Sequence, residues 1–428
     1  MTPTRPRIVL VGAGWAGFIL SQELSDTQYD ITIIAPHQTF AYTPLLASAA
    51  TGLFFSRLAE EPIRRAHRKT TYYRAYATAA DFSQQTVTCI PSILQADGSD
   101  VPDAEHPFTV EYDKLIIAPG CVNQTFNTPG ADEHCFFLKT VPDAEAIKAK
   151  LLSILEIASL PTTSRERAQE LLHIAVVGGG PTGVELSAEL ADLFDEISKT
   201  YPHLAGLPSI TIHDVAPEIL GAFHDKLKTH ALQSFSKHGV EVKTSSHIEK
   251  IDSDGALYNL YTKEDGKKLC GMVAWATGNK QCDFVDSLRG VSKASRLGRL
   301  LTDQRLRVLK EDKTALLNVY ALGDAADIFD KGLPTTAEVA VQKAEYLVKA
   351  LNSPDKESAP FVYKQRRMVA YLGGTDGVIM GQQDWTGEAA WLAWRSGSLG
   401  WTRSWRRKAM IIASWGWNFI GGREIARR

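Results

Sequence analysis

Short apolar runs, glycine-rich turns and amphipathic stretches alternate along the chain, and one such order occurs twice. The sequence RIVLVGAGWAGFILSQEL, residues 7–24, is typical of a strand at 8–11, a turn and a helix at 18–24, with another strand at 31–34. The sequence IAVVGGGPTGVELSAEL, residues 174–190, has the same layout. Apolar runs that alternate with helix-periodic stretches predict strand–helix–strand units and a parallel sheet. The pattern therefore predicts an α/β protein with two such units.

The hydrophobic pattern between the two units is less regular. It predicts strands near 71–77 and 86–90, a polar loop at 95–107, and a helical stretch at 143–172 that is interrupted near Pro161. After the second unit, strand-like runs resume and a helix follows Pro334. The pattern thus suggests that the second unit is inserted into a fold that the first unit begins.

Each turn carries three glycines in the spacing G-x-G-x-x-G: Gly12, Gly14 and Gly17 in the first, and Gly178, Gly180 and Gly183 in the second. The first glycine permits a tight turn, the second lets the backbone approach a pyrophosphate, and the third lets helix and strand pack closely. The N–H groups at the start of the helix can then bind phosphate. Two turns in this context predict two bound dinucleotides.

The residue after the second strand of each unit indicates which nucleotide binds. In the second unit the strand SITIH is followed by Asp214, which can accept hydrogen bonds from a ribose and would repel a 2′-phosphate, so NADH is favoured over NADPH. The first unit has Ala35, Pro36 and His37 there, without an acid. Its dinucleotide is expected to be FAD, because NVYALGDAAD delivers Gly323 and Asp324 to the ribityl and phosphate side of a flavin.

Composition and cysteine spacing restrict the chemistry. The chain has 47 Lys and Arg against 49 Asp and Glu, a net charge of −2, which gives no sign of a nucleic-acid partner. The cysteines are scattered, so reduced thiols are expected instead of a disulfide scaffold, and no metal site is predicted. They are Cys89, Cys121, Cys135, Cys270 and Cys282.

The segment from Trp385 to the C-terminus differs from the rest. It holds seven of the nine tryptophans and carries a charge of +6, which leaves −8 for the remainder. Its uncharged run AMIIASWGWNFIGG is too short to cross a bilayer, and tryptophan with arginine suits a membrane surface. A buried tryptophan-rich helix or a homodimer contact is the alternative. Because both turns lie upstream, removal of residues 386–428 is expected to spare NADH oxidation.

The order of motifs is similar to that of two-dinucleotide flavoproteins of the disulfide-reductase structural class. Members of that class use a redox cysteine pair, which this chain lacks, so electrons would pass from the flavin directly to an acceptor such as a quinone. FAYTPLLASAATG, GGGPTGVELSAEL, LGDAAD, LPTTAEVAVQKAEYL and the tail together resemble type II NADH:quinone oxidoreductases, particularly the mitochondrial enzymes of fungi. The resemblance covers residues 8–427.

The resemblance implies a set of site residues. For non-covalent FAD they are Gly12, Ala13, Gly14, Trp15, Gly17, Thr43, Pro44, Leu45, Ala118, Gly120, Gly323, Asp324 and Ala337. For NADH they are Gly178, Gly179, Gly180, Pro181, Thr182, Gly183, Glu185, Asp214, Thr277 and Gly278. Glu185 would lie near the nicotinamide, and Thr43 with Pro44 near the isoalloxazine.

The quinone would reach the flavin beside the helix after Pro334. The family usually has two glutamines four residues apart there, whereas this chain has Glu338 and Gln342, which an i,i+4 spacing places on one helix face. Alternatively, Thr335 and Glu338 form a capping box. Tyr371 matches a tyrosine near the quinone site, although it also suits a core position.

Four segments are predicted: 1–140 and 296–384 for FAD, 141–295 for NADH, and 385–428 for membrane contact. The expected activity is oxidation of NADH with two-electron reduction of a ubiquinone-like quinone and no proton pumping. The alternatives are a soluble NADH-dependent reductase of a small quinone-like metabolite and a flavoprotein with a binding role, like apoptosis-inducing factors. The first predicted strand begins at Ile8, so no presequence is expected. The expected location is the surface of a mitochondrial inner membrane in a eukaryote, or otherwise the cytosol.

Overall fold

The computed structural model describes residues 5–64, 68–95, 100–353 and 359–423. Its helices are α1 (Trp15–Glu23), α2 (Leu46–Ala50), α3 (Ala131–His134), α4 (Val141–Ala158), α5 (Arg165–Leu171), α6 (Pro181–Thr200), α7 (Asp225–Lys237), α8 (Asp283–Ser287), α9 (Ala337–Asn352), α10 (Glu388–Trp401) and α11 (Trp405–Gly421). Short 3-10 turns occur at Thr43–Leu45, Ser56–Ala59, Pro202–Leu204 and Gly323–Ala325.

The strands up to the second glycine turn are β1 (Arg7–Val11), β2 (Asp30–Ala35), β3 (Thr39–Ala41), β4 (Glu60–Pro62), β5 (Thr70–Asp81), β6 (Thr86–Leu94), β7 (Asp100–Pro102), β8 (Phe108–Glu111), β9 (Lys114–Ile117), β10 (Val122–Asn123), β11 (Phe136–Phe137) and β12 (His173–Val177). Those after it are β13 (Ser209–His213), β14 (Val240–Lys243), β15 (Ile248–Asp254), β16 (Leu257–Thr262), β17 (Gly266–Cys270), β18 (Met272–Trp275), β19 (Asn279–Lys280), β20 (Leu300–Thr302), β21 (Arg307–Leu309), β22 (Ala315–Ala321), β23 (Ala326–Ile328), β24 (Met368–Gly373), β25 (Asp376–Met380) and β26 (Trp385–Thr386).

Two compact units divide the chain. The first contains residues 1–40, 61–122 and 279–365, and the second contains 41–60, 123–278 and 366–428. The C-terminal region therefore belongs to the same compact unit as β12 and α6, whereas the sequence predicts a separate segment from residue 385. The assignment of the four predicted segments to FAD, NADH and the membrane stays a prediction.

The first unit is built on a mixed sheet in the order β23-β20-β21-β22-β9-β1-β2-β5-β6-β7, with β8 paired to β6. Strand β1 lies between the parallel strands β2 and β9, so that Val11 pairs with both Ile34 and Ile117. Its apolar residues are buried because both of its edges and both of its faces are covered. The sheet corrects one expectation, since the predicted polar loop 95–107 contains β7, which pairs with β6.

The second unit is built on a parallel sheet in the order β11-β18-β12-β13-β14. Strand β12 is buried along its whole length, and α6 follows it directly. The predicted interruption near Pro161 is confirmed, because α4 ends at Ala158 and a new N-cap at Ser164 begins α5. The α/β class with two dinucleotide-type units is thus confirmed.

The C-terminal region adds an antiparallel sheet, β24-β25-β26, followed by α10 and α11. Helix α11 buries Ile411 but leaves large apolar side chains exposed, among them Trp405, Trp417, Phe419 and Ile420. Within the residues described above, no helix combines the length and the apolarity that crossing a bilayer requires.

Candidate functional site

The first glycine turn joins β1 to α1 and leaves one face open. A Cβ added to Gly12, whose φ is +97°, would lie 2.2 Å from the carbonyl oxygen of Ala118. One added to Gly17 would lie 2.1 Å from the carbonyl oxygen of Gly12, so close packing of strand, helix and the β9 end requires glycine at both positions. A Cβ added to Gly14 would meet no described atom within 4 Å. The middle glycine therefore borders open space.

The second turn, between β12 and α6, repeats this geometry. A Cβ on Gly183 would lie 1.9 Å from the carbonyl oxygen of Gly178, whereas one on Gly180 would meet no described atom within 4 Å. The N-caps of α1 and α6 are Gly14 and Gly180, so no capping side chain occupies the N–H groups of either first turn. An open cradle at a helix N-terminus fits the pyrophosphate of a dinucleotide.

Asp214 closes one side of the second turn. It directly follows β13, and its carboxylate accepts hydrogen bonds from the N–H groups of Gly179 and Ala216, the latter at 2.7 Å. Both bonds fix the side chain at the strand end where a ribose would lie. Two other predicted residues, Thr277 and Gly278, follow β18 in the same unit, and Gly278 accepts a hydrogen bond from the Gln124 N–H at 3.2 Å.

Asp324 lies in the 3-10 turn Gly323–Ala325 of the first unit. Its carboxylate accepts a hydrogen bond from the Cys121 thiol at 3.2 Å, and its backbone carbonyl accepts one from the Gln281 amide at 3.1 Å. Ala118 donates its N–H to the Val11 carbonyl at 2.8 Å, which holds the end of β9 beside the first turn. The first unit thus contains the predicted FAD residues of both motifs, with Gly120 after β9 and Ala337 as the first residue of α9.

The predicted residues Thr43, Pro44 and Leu45 belong to the second unit, as does Glu185. They form a 3-10 turn in which Leu45 is buried and Thr43 is exposed. Their place near an isoalloxazine stays a prediction.

Glu185 lies in the second turn of α6 against the C-terminal region. The Trp394 indole N–H donates to its carboxyl oxygen at 2.9 Å, and the Tyr371 ring stacks on Trp394 with centroids 4.6 Å apart. Burial raises the pKa of Glu185 to about 8, and the neighbouring charge of Glu189 acts in the same direction, whereas the Trp394 hydrogen bond opposes it. The site therefore favours the neutral form of Glu185 more than solvent does. Sequence reasoning missed Trp394 as its partner, and no local pattern identifies it.

Four acids follow one face of α6: Glu185, Glu189, Asp192 and Glu196. Arg423 lies two residues after α11, and its buried guanidinium pairs with Glu196 at 2.9 Å, Glu189 at 3.3 Å and Asp192 at 3.9 Å. The Tyr371 hydroxyl also donates to Asp192. Burial is the main cause that raises the pKa of Asp192, and the charge of Glu189 raises it further. Arg423 thus pairs with three of these acids, of which Glu189 is buried and Asp192 and Glu196 are partly buried.

Helix α9, which the sequence predicts to lie on the quinone side, begins one residue later than a Thr335 capping box requires. Thr336 is the N-cap of α9, and its hydroxyl accepts the Val339 N–H at 3.3 Å, so the capping-box alternative for Glu338 is wrong. Glu338 instead accepts a hydrogen bond from the Gln342 amide at 2.5 Å, as expected for one helix face. The Gln342 amide also bonds both backbone groups of Lys364, at 2.9 and 3.0 Å. Tyr371 lies in the other unit.

Comparison with known proteins identifies the family. Residues 6–344 match the model of the pyridine nucleotide-disulphide oxidoreductase family. The chain is 32% identical to a probable NADH dehydrogenase of Dictyostelium discoideum, over 98% of this chain and 91% of that protein. It is 31% identical to an internal alternative NAD(P)H-ubiquinone oxidoreductase A1, mitochondrial, of Solanum tuberosum, over 99% and 88%.

Solved structures share the fold. NDH2 from Plasmodium falciparum in complex with NADH superposes with a TM-score of 0.86 at 23% identity, covering 99% of this chain and 100% of that one. The sulfide:quinone oxidoreductase of Aquifex aeolicus gives 0.69 at 15% identity, covering 95% and 92%. With its paired glycine turns and these relatives, the chain belongs to the pyridine nucleotide-disulphide oxidoreductase family and, within it, to the type II NADH:quinone oxidoreductases.

Proposed function

We propose that NADH binds at the turn before α6 and FAD at the turn before α1, and that electrons pass from NADH through the flavin to a ubiquinone-like quinone. When bound, FAD supplies the hydride-accepting and quinone-reducing chemistry. The repeated open cradle at Gly14 and Gly180 carries this proposal, because each fits one dinucleotide pyrophosphate. The relatives named for ubiquinone reduction support the choice of acceptor.

Two residues of the second unit would orient NADH. Asp214, held by two backbone N–H groups, would accept hydrogen bonds from the ribose and disfavour NADPH. Glu185 would stay neutral beside the nicotinamide because burial raises the pKa of its carboxyl to about 8. Trp394 would fix the orientation of that carboxyl through its 2.9 Å hydrogen bond.

On the quinone side, we propose that Glu338 and Gln342 of the first unit border the acceptor, and Tyr371 of the second unit is a further candidate from the sequence. Glu338 and Gln342 are joined by a hydrogen bond and form one polar patch on α9. Since the Gln342 amide also bonds the backbone of Lys364, its role would include holding residue 364 against the helix. Tyr371 would act through its contacts with Trp394 and Asp192.

Membrane contact is assigned to α11. Trp417, Phe419 and Ile420 expose 79%, 92% and 87% of their surface, and neighbouring exposed apolar side chains mark sites of membrane or protein contact. Helix α11 also carries Arg406, Arg407 and Lys408, which suit anionic headgroups. A long-tailed quinone resides in a membrane, so its reductase must reach one. Relatives named as mitochondrial support a mitochondrial location for this membrane, and a homodimer contact through α11 is the rival assignment.

The test compares acceptors with and without vesicles of anionic phospholipid. NADH oxidation by the FAD-loaded enzyme is measured with a long-tailed quinone, a short water-soluble quinone and ferricyanide. We expect vesicles to stimulate only reduction of the long-tailed quinone. The double variant Trp417→Ser/Phe419→Ser should lose vesicle binding and this stimulation. Leu317→Ser, which changes an apolar residue exposed by 72% in the first unit, is the matched control.

The rival functions give different results. Equal quinone turnover without lipid, together with no sedimentation with vesicles, would favour a soluble reductase of a small metabolite. Slow reoxidation of the flavin by every quinone would favour a binding role. A change from dimer to monomer in the double variant, with vesicle binding intact, would assign α11 to a homodimer contact.

A further inference from the structure

A lysine is completely buried beside the Gly323–Ala325 turn. Lys343, in the second turn of α9, has no exposed surface, and its ammonium donates a hydrogen bond to the carbonyl of Ala326 at 3.0 Å. Ala326 directly follows the turn. Lysine is almost never fully buried unless its charge is paired, so this position calls for an explanation.

The charges around Lys343 come from three parts of the first unit. Asp327 in β23 and Asp324 in the turn attract its ammonium, whereas Arg299, which pairs with Asp327 at 2.9 Å, repels it. Burial nevertheless dominates and lowers the pKa of Lys343 to about 8. The cluster therefore contains two cations and two carboxylates, with one carboxylate in the flavin-binding motif.

A packing role alone does not account for this lysine. Burial of an ammonium is unfavourable, and one hydrogen bond to a carbonyl offsets only part of that cost. A methionine of similar length would fill the same space beside Ala326 without a charge to bury. The feature that methionine lacks is a positive charge, which Asp327 and Asp324 both attract.

We propose that Lys343 is a positioning residue for FAD. Its ammonium holds the Gly323–Ala325 turn through Ala326 and balances the carboxylate of Asp324, so that the turn accepts the polar and anionic part of the cofactor. This inference rests on the proposed placement of FAD at the turn. It assigns to α9 a role on the FAD side, in addition to the polar patch of Glu338 and Gln342.

The test measures the dissociation constant of FAD from flavin-stripped protein at pH 6.5 and pH 9.5. Lys343→Met is compared with the wild type and with Lys349→Met, the same substitution at an exposed lysine of the same helix. We expect Lys343→Met to weaken FAD binding about tenfold at pH 6.5, the scale of a charge interaction in a partly screened interior. At pH 9.5 the wild-type ammonium is largely deprotonated, so the ratio should approach one.

Two further variants test whether the charge or the hydrogen bond of Lys343 matters, and whether FAD binds at the proposed place. Lys343→Gln retains a donor for Ala326 without the charge, and it should bind FAD as weakly as Lys343→Met at pH 6.5. Wild-type affinity in Lys343→Gln, or an equal ratio for Lys343→Met at both pH values, would overturn the proposal. If Gly14→Val abolishes FAD binding while Lys343→Met leaves it unchanged, the cofactor placement stands and the inference for Lys343 is wrong.

Discussion

Arg423→Met tests whether the contacts of the C-terminal region with α6 stabilise the second unit. The Arg423 side chain is 4% exposed and that of Glu189 is 1% exposed, so solvent cannot replace the lost pairing. Removing one partner of a buried ion pair costs about 3–5 kcal/mol, because the other charge stays buried and uncompensated. Arg423 also donates to the Thr51 hydroxyl at 2.8 Å. For a unit of this size the loss corresponds to a decrease in Tm of roughly 6–20 °C.

The assay is thermal unfolding of the full-length protein at neutral pH and low salt. Arg167→Met is the control, since Arg167 is an exposed α5 residue that pairs with Glu170 at 3.4 Å and should contribute at most about 1 kcal/mol. Glu189→Gln added to Arg423→Met should recover much of the lost Tm by removing the unpaired charge. A Tm for Arg423→Met within one degree of the Arg167→Met value would refute the reasoning, as would no recovery with Glu189→Gln.

Three further predictions concern the nucleotide sites. Gly14→Val should fold but purify without FAD, because the valine side chain enters the open cradle. Gly17→Val should misfold, because its Cβ meets the Gly12 carbonyl oxygen. Flavin absorbance and circular dichroism distinguish the two results. Asp214→Ala should reduce the NADH-to-NADPH ratio of kcat/KM by roughly 1–3 kcal/mol, mainly through the KM for NADH. Since the pKa of Glu185 is raised to about 8 in the folded protein, stability falls as pH rises from the unfolded-state pKa towards 8 and then levels off, so the Tm advantage of Glu185→Gln should grow from pH 6 to 8.

Local patterns predicted the two turns because each signal lies within a few residues. Gly12 and Gly178 are needed where a strand reverses into a helix, and Gly17 and Gly183 where that helix crosses the strand. These constraints are set by backbone contacts between neighbouring elements. The residues that prepare each open cradle could therefore be found from spacing alone.

The surroundings of Glu185 could not be predicted in this way. Its hydrogen-bond partner Trp394 is 209 residues away in the chain, and the Arg423 partner of Glu196 is 227 residues away. Tryptophan-rich composition predicted a surface role for the whole tail, yet Trp394 is 4% exposed whereas Trp417 is 79% exposed. Composition alone does not distinguish the buried tryptophan from the exposed one. Lys343 was missed for a related reason, since lysine is ordinarily expected at the surface.

Truncation of residues 386–428 distinguishes the two views of the C-terminal region. The sequence alone predicts that NADH-to-ferricyanide activity survives, because both turns lie upstream. The structure predicts its loss, because the truncation removes the Trp394 donor to Glu185 and the Arg423 partner of the α6 acids. We therefore expect a lower Tm and impaired NADH oxidation for the truncated protein. The double variant Trp417→Ser/Phe419→Ser should instead retain ferricyanide activity while it loses vesicle binding and the lipid stimulation of long-tailed quinone reduction. A truncated protein with wild-type Tm and ferricyanide turnover would show that α10 and α11 only attach the enzyme to the membrane.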